Sequence, residues 1–364
     1  MVKKINILLV LLLLFISVSA VSAADNLNET MVSSDETIDD LSISDDVISD
    51  DTGKEVLSSV SHTVNKSNYN SYFNSGGKLF ASSVNDGDTI NIDGAFSGKN
   101  FIFEKQVNVV GTDSNSLENC VFTFNSKASG SIVSNLNINN NKDYNYGVFL
   151  NGASNCLITG CTIQNTGASA YTICVANNAN YNNVTNNKLT TYGITYGHGT
   201  RSTPPLILSG AHYNYIANND IQCDDANAIY LSSYSGGPLN GGNSNFNIIY
   251  NNTIKYNVLP TSWSFGIQIM GTDNKIDSNT VIGGYRGVST SGSRNTIVNN
   301  KIINITGADF NNPGVVSGGE TAIVASSYSI VANNSVLNAR VSSTNSGISV
   351  LDHSIVENNT IQVL

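Results

Sequence analysis

The sequence predicts an all-β solenoid, a parallel β-helix with three short strands per coil, and three observations carry that prediction. A six-residue phrase, apolar-x-Asn-Asn-x-apolar, recurs at 184–189, 216–221, 249–254, 297–302, 331–336 and 356–361, with looser copies at 117–122, 133–138, 158–163 and 276–281. The last apolar residues of successive copies lie 16 to 34 residues apart, a repeat length with variable insertions that belongs to stacked coils. Before each phrase comes a small residue and a short alternating run, such as Gly147-Val148-Phe149-Leu150, Ala228-Ile229-Tyr230-Leu231 and Gly287-Val288-Ser289-Thr290. Period-two alternation in β-branched stretches marks strands with one buried face. Each coil therefore has a first strand here, a second before Asn-Asn and a third after it. A single coil buries too few aliphatic side chains to offset its ordering entropy, so stacking must supply the rest.

Taken in order, residues 1–24 read as an export signal. Lys3 and Lys4 precede an apolar run from Ile5 to Val18, and small residues follow through Ala23 and Ala24; the run is short for a membrane span, and an uncleaved N-terminal anchor is the alternative. Residues 25–60 hold 11 of the 27 acidic residues and only Lys54 as a base, which predicts a disordered, self-repelling acidic spacer. From residue 61 on, 16 acidic residues face 14 basic ones. That near-neutral balance has no nucleic-acid-binding stripe.

Residues 61–83 read as an N-terminal cap. Tyr69, Tyr72 and Phe73 lie at helical spacing after Asn68 and before Gly76-Gly77, predicting a short helix that closes the open end of the solenoid. The β-helix is expected over 84–364. Its asparagine pairs are Asn186 and Asn187, Asn218 and Asn219, Asn251 and Asn252, Asn299 and Asn300, Asn333 and Asn334, and Asn358 and Asn359. One member of each suits a left-handed bend and the other an inward amide ladder; the sequence leaves open which does which. The chain stops at Ile361-Gln362-Val363-Leu364 inside a strand, so this edge is expected either to self-associate, which would make the protein a structural envelope component, or to mark a truncation. No two of Cys120, Cys156, Cys161, Cys174 and Cys223 share a row on adjacent coils, so they are expected as buried thiols rather than disulfides. Histidines 62, 198, 212 and 353 are too scattered for zinc, and no cofactor is implied. Seven Asn-x-Ser/Thr sequons occur; at Asn251, Asn333 and Asn358 a glycan is expected to clash with the bend.

The run Val84-Asn85-Asp86-Gly87-Asp88-Thr89-Ile90, the strand Val107-Asn108-Val109-Val110-Gly111 and the Asn-Asn repeats resemble the adhesin-like surface proteins of methanogenic archaea. That resemblance, over roughly 62–364 plus the signal and spacer, implies a right-handed parallel β-helix of the pectate-lyase superfold at the cell surface or secreted. Larger members add immunoglobulin-like repeats and an anchoring tail. Neither occurs in this sequence, so permanent anchoring is not implied.

Enzymes of that superfold usually place carboxylates and a base on the outer face of the first strand. In the register above that row reads Phe149, Cys174, Ile207, Tyr230, Gln268, Ser289, Val324 and Ser349, whereas glycosidic cleavage needs paired carboxylates. The resemblance leaves an enzyme only the loop residues Asp143, His198, Arg201, Asp224, Asp225, Arg286 and Glu320. Asp224-Asp225 and Gly197-His198-Gly199 are similar to motifs of pectin-type glycosidases, but in reversed chain order. If the chain were a lyase or hydrolase, Asp224, Asp225, Arg286 and His198 would carry it. The long insertions are rich in flat rings that suit sugar stacking. Tyr192, Tyr196, Arg201, Tyr230, Tyr234, Tyr256 and Trp263 are the expected ligand contacts. The reading is a non-enzymatic exported protein that binds polysaccharide or a cell-surface glycan through its lateral face.

Overall fold

The computed structural model describes residues 59–143, 145–167, 170–192, 204–224, 226–259, 264–307, 319–341 and 346–364. The expected signal and nearly all of the acidic spacer lie outside the described residues.

Three sheets form the predicted solenoid. Among the described residues the first-strand sheet has ten strands, from Asn100–Phe103 to Ile348–Val350. The second-strand sheet has twelve, from Ser61–Val64 to Ile355–Glu357, and the third-strand sheet eleven, from Ala95–Ser97 to Thr360–Val363. Every strand pairs in parallel with its counterparts in the neighbouring coils, and the first-strand row runs Phe149, Cys174, Ile207, Tyr230, Gln268, Ser289, Val324, Ser349 as the alternation requires. The apolar ends of the repeated phrase form two inward columns. Val184, Ile216, Ile249, Ile276, Ile297 and Val331 make one, and Leu189, Ile221, Ile254, Val281, Ile302 and Val336 the other, all at 0% exposure. The small residue at the head of the first strand has a steric cause. A Cβ on Gly266 would lie 2.5 Å from Val281, and one on Gly287 2.5 Å from Ile302.

The roles within each asparagine pair are now distinct. The first member takes the left-handed bend, with φ of 59° at Asn186, 57° at Asn218, 50° at Asn251, 58° at Asn299, 57° at Asn333 and 52° at Asn358, and it is exposed. The expected glycan clash at Asn251, Asn333 and Asn358 is thereby corrected, since these side chains face solvent. The second member turns inward, and Asn187, Asn219, Asn252, Asn279, Asn300, Asn334 and Asn359 bond coil to coil, each Nδ2 donating to the next Oδ1 at 2.9 to 3.0 Å. A second ladder, not anticipated from the sequence, runs through Asn182, Asn214, Asn247, Asn274 and Asn295 at 3.0 to 3.2 Å. It sits five residues upstream of the first, at the bend leading into the second strand. All five cysteines are buried free thiols. Two of them fill the ladder rows one coil earlier, where the backbone N–H of Cys156 donates to Asn182 Oδ1 and that of Cys161 to Asn187 Oδ1.

The N-terminal end departs from expectation in one respect. The predicted helix is a single turn, Tyr69–Tyr72, whose Asn68 makes no side-chain cap. Before it, however, Ser61–Val64 already pairs with Thr89–Ile92, so the solenoid begins within the segment assigned to the cap. Alternation in His62 and Val64 is too short to read as a strand without its partner. Rings close this end. Tyr69 stacks on Phe73 at 5.1 Å, Phe101 on Phe122 at 4.4 Å and Phe103 on Phe124 at 4.7 Å. His62, in register with Ile90, packs inward and meets the Asp88 carboxylate at 3.0 Å.

Candidate functional site

The outer face of the first-strand sheet divides into an apolar half and a polar half. In the earlier coils Phe149, Cys174 and Ile207 point outward yet are only 4%, 0% and 1% exposed. Leu239, on the insertion 233–242, packs over them, with Tyr146, Tyr171 and Tyr230 around its edge. Polar contacts hold the insertion down: Asn177 Nδ2 donates to the Pro238 carbonyl at 2.8 Å, Asn177 Oδ1 accepts the Asn240 N–H at 2.8 Å, and Ser209 Oγ donates to the Tyr234 carbonyl at 2.9 Å. The insertion thus covers the wall that the first-strand row would otherwise present.

Beyond Tyr230 the row turns polar and its side chains engage one another. The Arg286 guanidinium lies 4.8 Å over the Phe265 ring, one coil back in register. Its Nη1 donates to Ser289 Oγ at 3.1 Å, and its Nη2 pairs with Glu320. The Nε is buried with no partner among the described residues, and burial pushes the guanidinium below its usual range. Beside it, Asn227 Nδ2 donates to Gln268 Oε1 at 2.6 Å while Asn227 Oδ1 accepts the Phe265 N–H. A buried ring, a planar cation, one carboxylate, two amides and a hydroxyl therefore share one stretch of wall. Planar polar groups of this kind match vicinal hydroxyls, and the Phe265 ring, only 4% exposed, supports the guanidinium from beneath.

The sequence-predicted residues distribute unevenly around this cluster. Arg286 and Glu320 are brought together, and Tyr230 is the register partner of Gln268 at the edge of the Leu239 cluster. Asp224 is half-buried and accepts from Asn257 Nδ2 at 3.3 Å. Asp143 is exposed, Tyr192 half-buried and Tyr234 50% exposed. Tyr256 is a correction, because it belongs to the core at 8% exposure and its hydroxyl donates to the Ala226 carbonyl at 2.7 Å, which leaves no face for a ligand. Its place on the third strand, in the inward row after Cys223, explains why. Asp225, His198, Tyr196, Arg201 and Trp263 lie outside the described residues. Phe265 and Asn227 were missed; the signal was their place in the Arg286 row, two residues before the first-strand aliphatic position.

A second lateral surface emerges on the second-strand sheet. The residue preceding the second ladder is left-handed in coil after coil, with φ of 57° at Asn155, 58° at Tyr181, 57° at Tyr213, 57° at Phe246, 59° at Asp273, 56° at Arg294, 59° at Tyr328 and 56° at His353. Side chains in this column stack in register. Tyr181 and Tyr213 are 4.9 Å apart, Tyr213 and Phe246 5.0 Å, and Tyr328 and His353 4.8 Å. Asp273 and Arg294 form a two-pronged ion pair at 2.7 and 2.6 Å. A left-handed backbone costs an L-residue about 1–2 kcal/mol, whereas each ring contact returns only about 0.5–1.5 kcal/mol. Three rings incur the cost and two contacts offset it, so stacking alone does not explain aromatic residues where Asn155 serves one coil earlier. The spacing was legible as the fifth residue before the first Asn of each phrase.

Comparisons with known proteins bear on the fold. Residues 127–302 match the protein-family model described as a right handed beta helix region, a stretch of 176 of the 364 residues. The fold is the right-handed parallel β-helix. No curated protein matches the chain in sequence. Among solved structures it is similar to a variant catalytic domain of GH87 alpha-1,3-glucanase in complex with tetrasaccharides, at 15% identity and TM-score 0.49, over 82% of this chain and 58% of that one. It is also similar to a variant of the periplasmic alginate epimerase AlgG, at 14% identity and TM-score 0.43, over 82% and 83% of the two chains. A third likeness is to a variant tailspike protein of E. coli bacteriophage HK620 in complex with a pentasaccharide, at 15% identity and TM-score 0.37, over 79% and 61%. The chain thus spans little more than half of the glucanase domain, and at these identities the likeness concerns the fold alone.

Proposed function

We propose that this is an exported, non-enzymatic glycan-binding protein of the adhesin-like kind, secreted or held at a cell surface. It presents the lateral wall of its β-helix to polysaccharide or to glycans of another cell. The observation that carries this reading is the Arg286 cluster, in which a guanidinium seated on the buried Phe265 ring and bonded to Ser289 has the amide pair of Asn227 and Gln268 on the adjoining coils and a neighbouring carboxylate, Glu320, engaged as its counter-ion. Residues 1–24 and the acidic run after them support export, and the Asn-Asn repeats support kinship with archaeal surface proteins.

The test applies the purified chain to a glycan array and runs a reducing-end assay on the same preparation. Expected are retained glycan without new reducing ends, and weakened retention in Gln268→Ala and Arg286→Lys, since an ammonium cannot reproduce the planar fork. Bond cleavage that disappears in Glu320→Gln or Asp225→Ala would replace this reading with a polysaccharide lyase or glycoside hydrolase.

A further inference from the structure

We infer that the second-strand sheet carries a separate binding face for uncharged polysaccharide, built on Tyr181, Tyr213 and Phe246 with Tyr215, Ile248 and Tyr250. It lies on a different sheet from the Arg286 cluster and rests on the glycan-binding reading only for the class of ligand.

Tyr181, Tyr213 and Phe246 are 56%, 47% and 45% exposed, and Ile248 and Tyr250 39% and 37%. Tyr215 and Tyr250, diagonal neighbours on adjacent coils, add a further ring contact at 6.3 Å. Tyr213 and Tyr215 occupy one coil and Phe246, Ile248 and Tyr250 the next, in register across Tyr215 and Ile248. The rings therefore make one contiguous apolar field, wide as a strand and three coils high. Parallel rings prefer slipped stacking, which leaves part of each face as a step toward solvent.

Charge and size select the occupant. In these three coils the outward positions of the second strand beside the rings are Asn183, Thr185 and Ala217, and the rim is formed by the exposed amides of Asn186, Asn218 and Asn251. Lys188 and Asp220 lie past that rim on the third strand; on the second-strand sheet charges begin in the following coil, where Lys275 and Asp277 pair with each other in register with Ile248 and Tyr250, and Asp273 is held by Arg294. A neutral field with an amide rim suits pyranose rings, which have C–H faces and hydroxyl edges. Six side chains fall far short of the roughly 20–30 residues a side of a specific protein interface. The backbone supplies an independent indication. The bend accepts Asn at 155, yet three successive coils hold rings in the same left-handed geometry and leave them in water.

Affinity electrophoresis of the full chain through gels carrying dextran, laminarin or mannan, with polygalacturonate as the charged control, tests the inference. Tyr213→Asn with Phe246→Asn keeps the bend, because Asn is the residue already used there, and Tyr250→Ser provides a second variant away from the bend. Expected is retardation by at least one neutral polymer, at least tenfold weaker in both variants, with an unchanged melting temperature and no matching loss on polygalacturonate. Retardation unchanged in both variants but lost in Gln268→Ala would overturn this face while leaving glycan binding intact. A wild-type chain retarded by no polymer would overturn both.

Discussion

Asn252 Oδ1 accepts two hydrogen bonds from the asparagine one coil earlier, from the Asn219 backbone N–H at 3.0 Å and from Asn219 Nδ2 at 2.9 Å. Its own Nδ2 donates to the Ile216 carbonyl and to Asn279 Oδ1, both at 2.9 Å. The amide is thus saturated on both sides at 1% exposure. Asn252→Ala strands buried donors and an acceptor, each costing about 1–3 kcal/mol, so a loss of several kcal/mol is expected in chemical denaturation. Asn252→Asp keeps the accepting side but points an oxygen at two others. Burial and that repulsion raise its pKa in the folded state, so the variant is most stable in acid and loses stability as pH rises through that value. A variant that melts like the wild type at neutral pH would remove the ladder from the account of stability.

The first asparagine of a pair answers to a different force. Asn186 is exposed with φ of 59°, so only its tolerance of left-handed backbone matters. Asn186→Val should cost about 1–2 kcal/mol or more, since a β-branched residue is an outlier there. Asn186→Gly should stay within about 1 kcal/mol of the wild type. Equal effects of the two substitutions, measured by urea midpoint, would contradict the bend assignment.

These two asparagines also show how far the sequence could be read. The repeat, the register and the three-strand coil were legible because each core column is a strict recurrence of aliphatic residues. The division of labour within Asn-Asn was not, because both roles use the same side chain and only φ separates them. The Tyr181, Tyr213 and Phe246 column escaped because exposed aromatic residues seldom occupy a left-handed bend, so composition gave no reason to align them. Phe265 under Arg286 escaped for a geometric reason. The two are one coil apart, 21 residues by number, and become neighbours only once the register is fixed.

The cysteines give a chemical check on the packing. Burial pushes the thiols of Cys120 and Cys156 up to about 11 and that of Cys161 up to about 12, against partial relief from nearby backbone N–H groups. Burial alone raises Cys174 further. Because the thiolate is the reactive form, a thiol-reactive dye at pH 8 should label the native chain negligibly over minutes and report five thiols per chain in denaturant. Rapid labelling of the native protein, or fewer than five thiols after unfolding without reductant, would show that this packing is wrong.

The N-terminal closure depends on one carboxylate. Asp88 is 3% exposed, and its oxygens accept the Val60 N–H and the Asn85 N–H, both at 2.8 Å, and face His62 Nε2 at 3.0 Å. Burial works to raise its pKa, but these partners outweigh it and hold the carboxyl below the usual range. A carboxyl depressed in the folded state contributes stability above its unfolded pKa and loses it as pH falls through the folded value. The wild type should therefore lose stability in acid below about pH 4. Asp88→Asn lacks that titration, so it should be the less stable of the two at neutral pH and its disadvantage should narrow as the medium is acidified. Native hydrogen exchange over Ser61–Val64 gives the local readout, because that strand is held at its start by the Val60 contact. A wild-type-to-variant difference that stays constant from neutral to strongly acid pH would rule out Asp88 as the acid-sensitive clasp of the first coil.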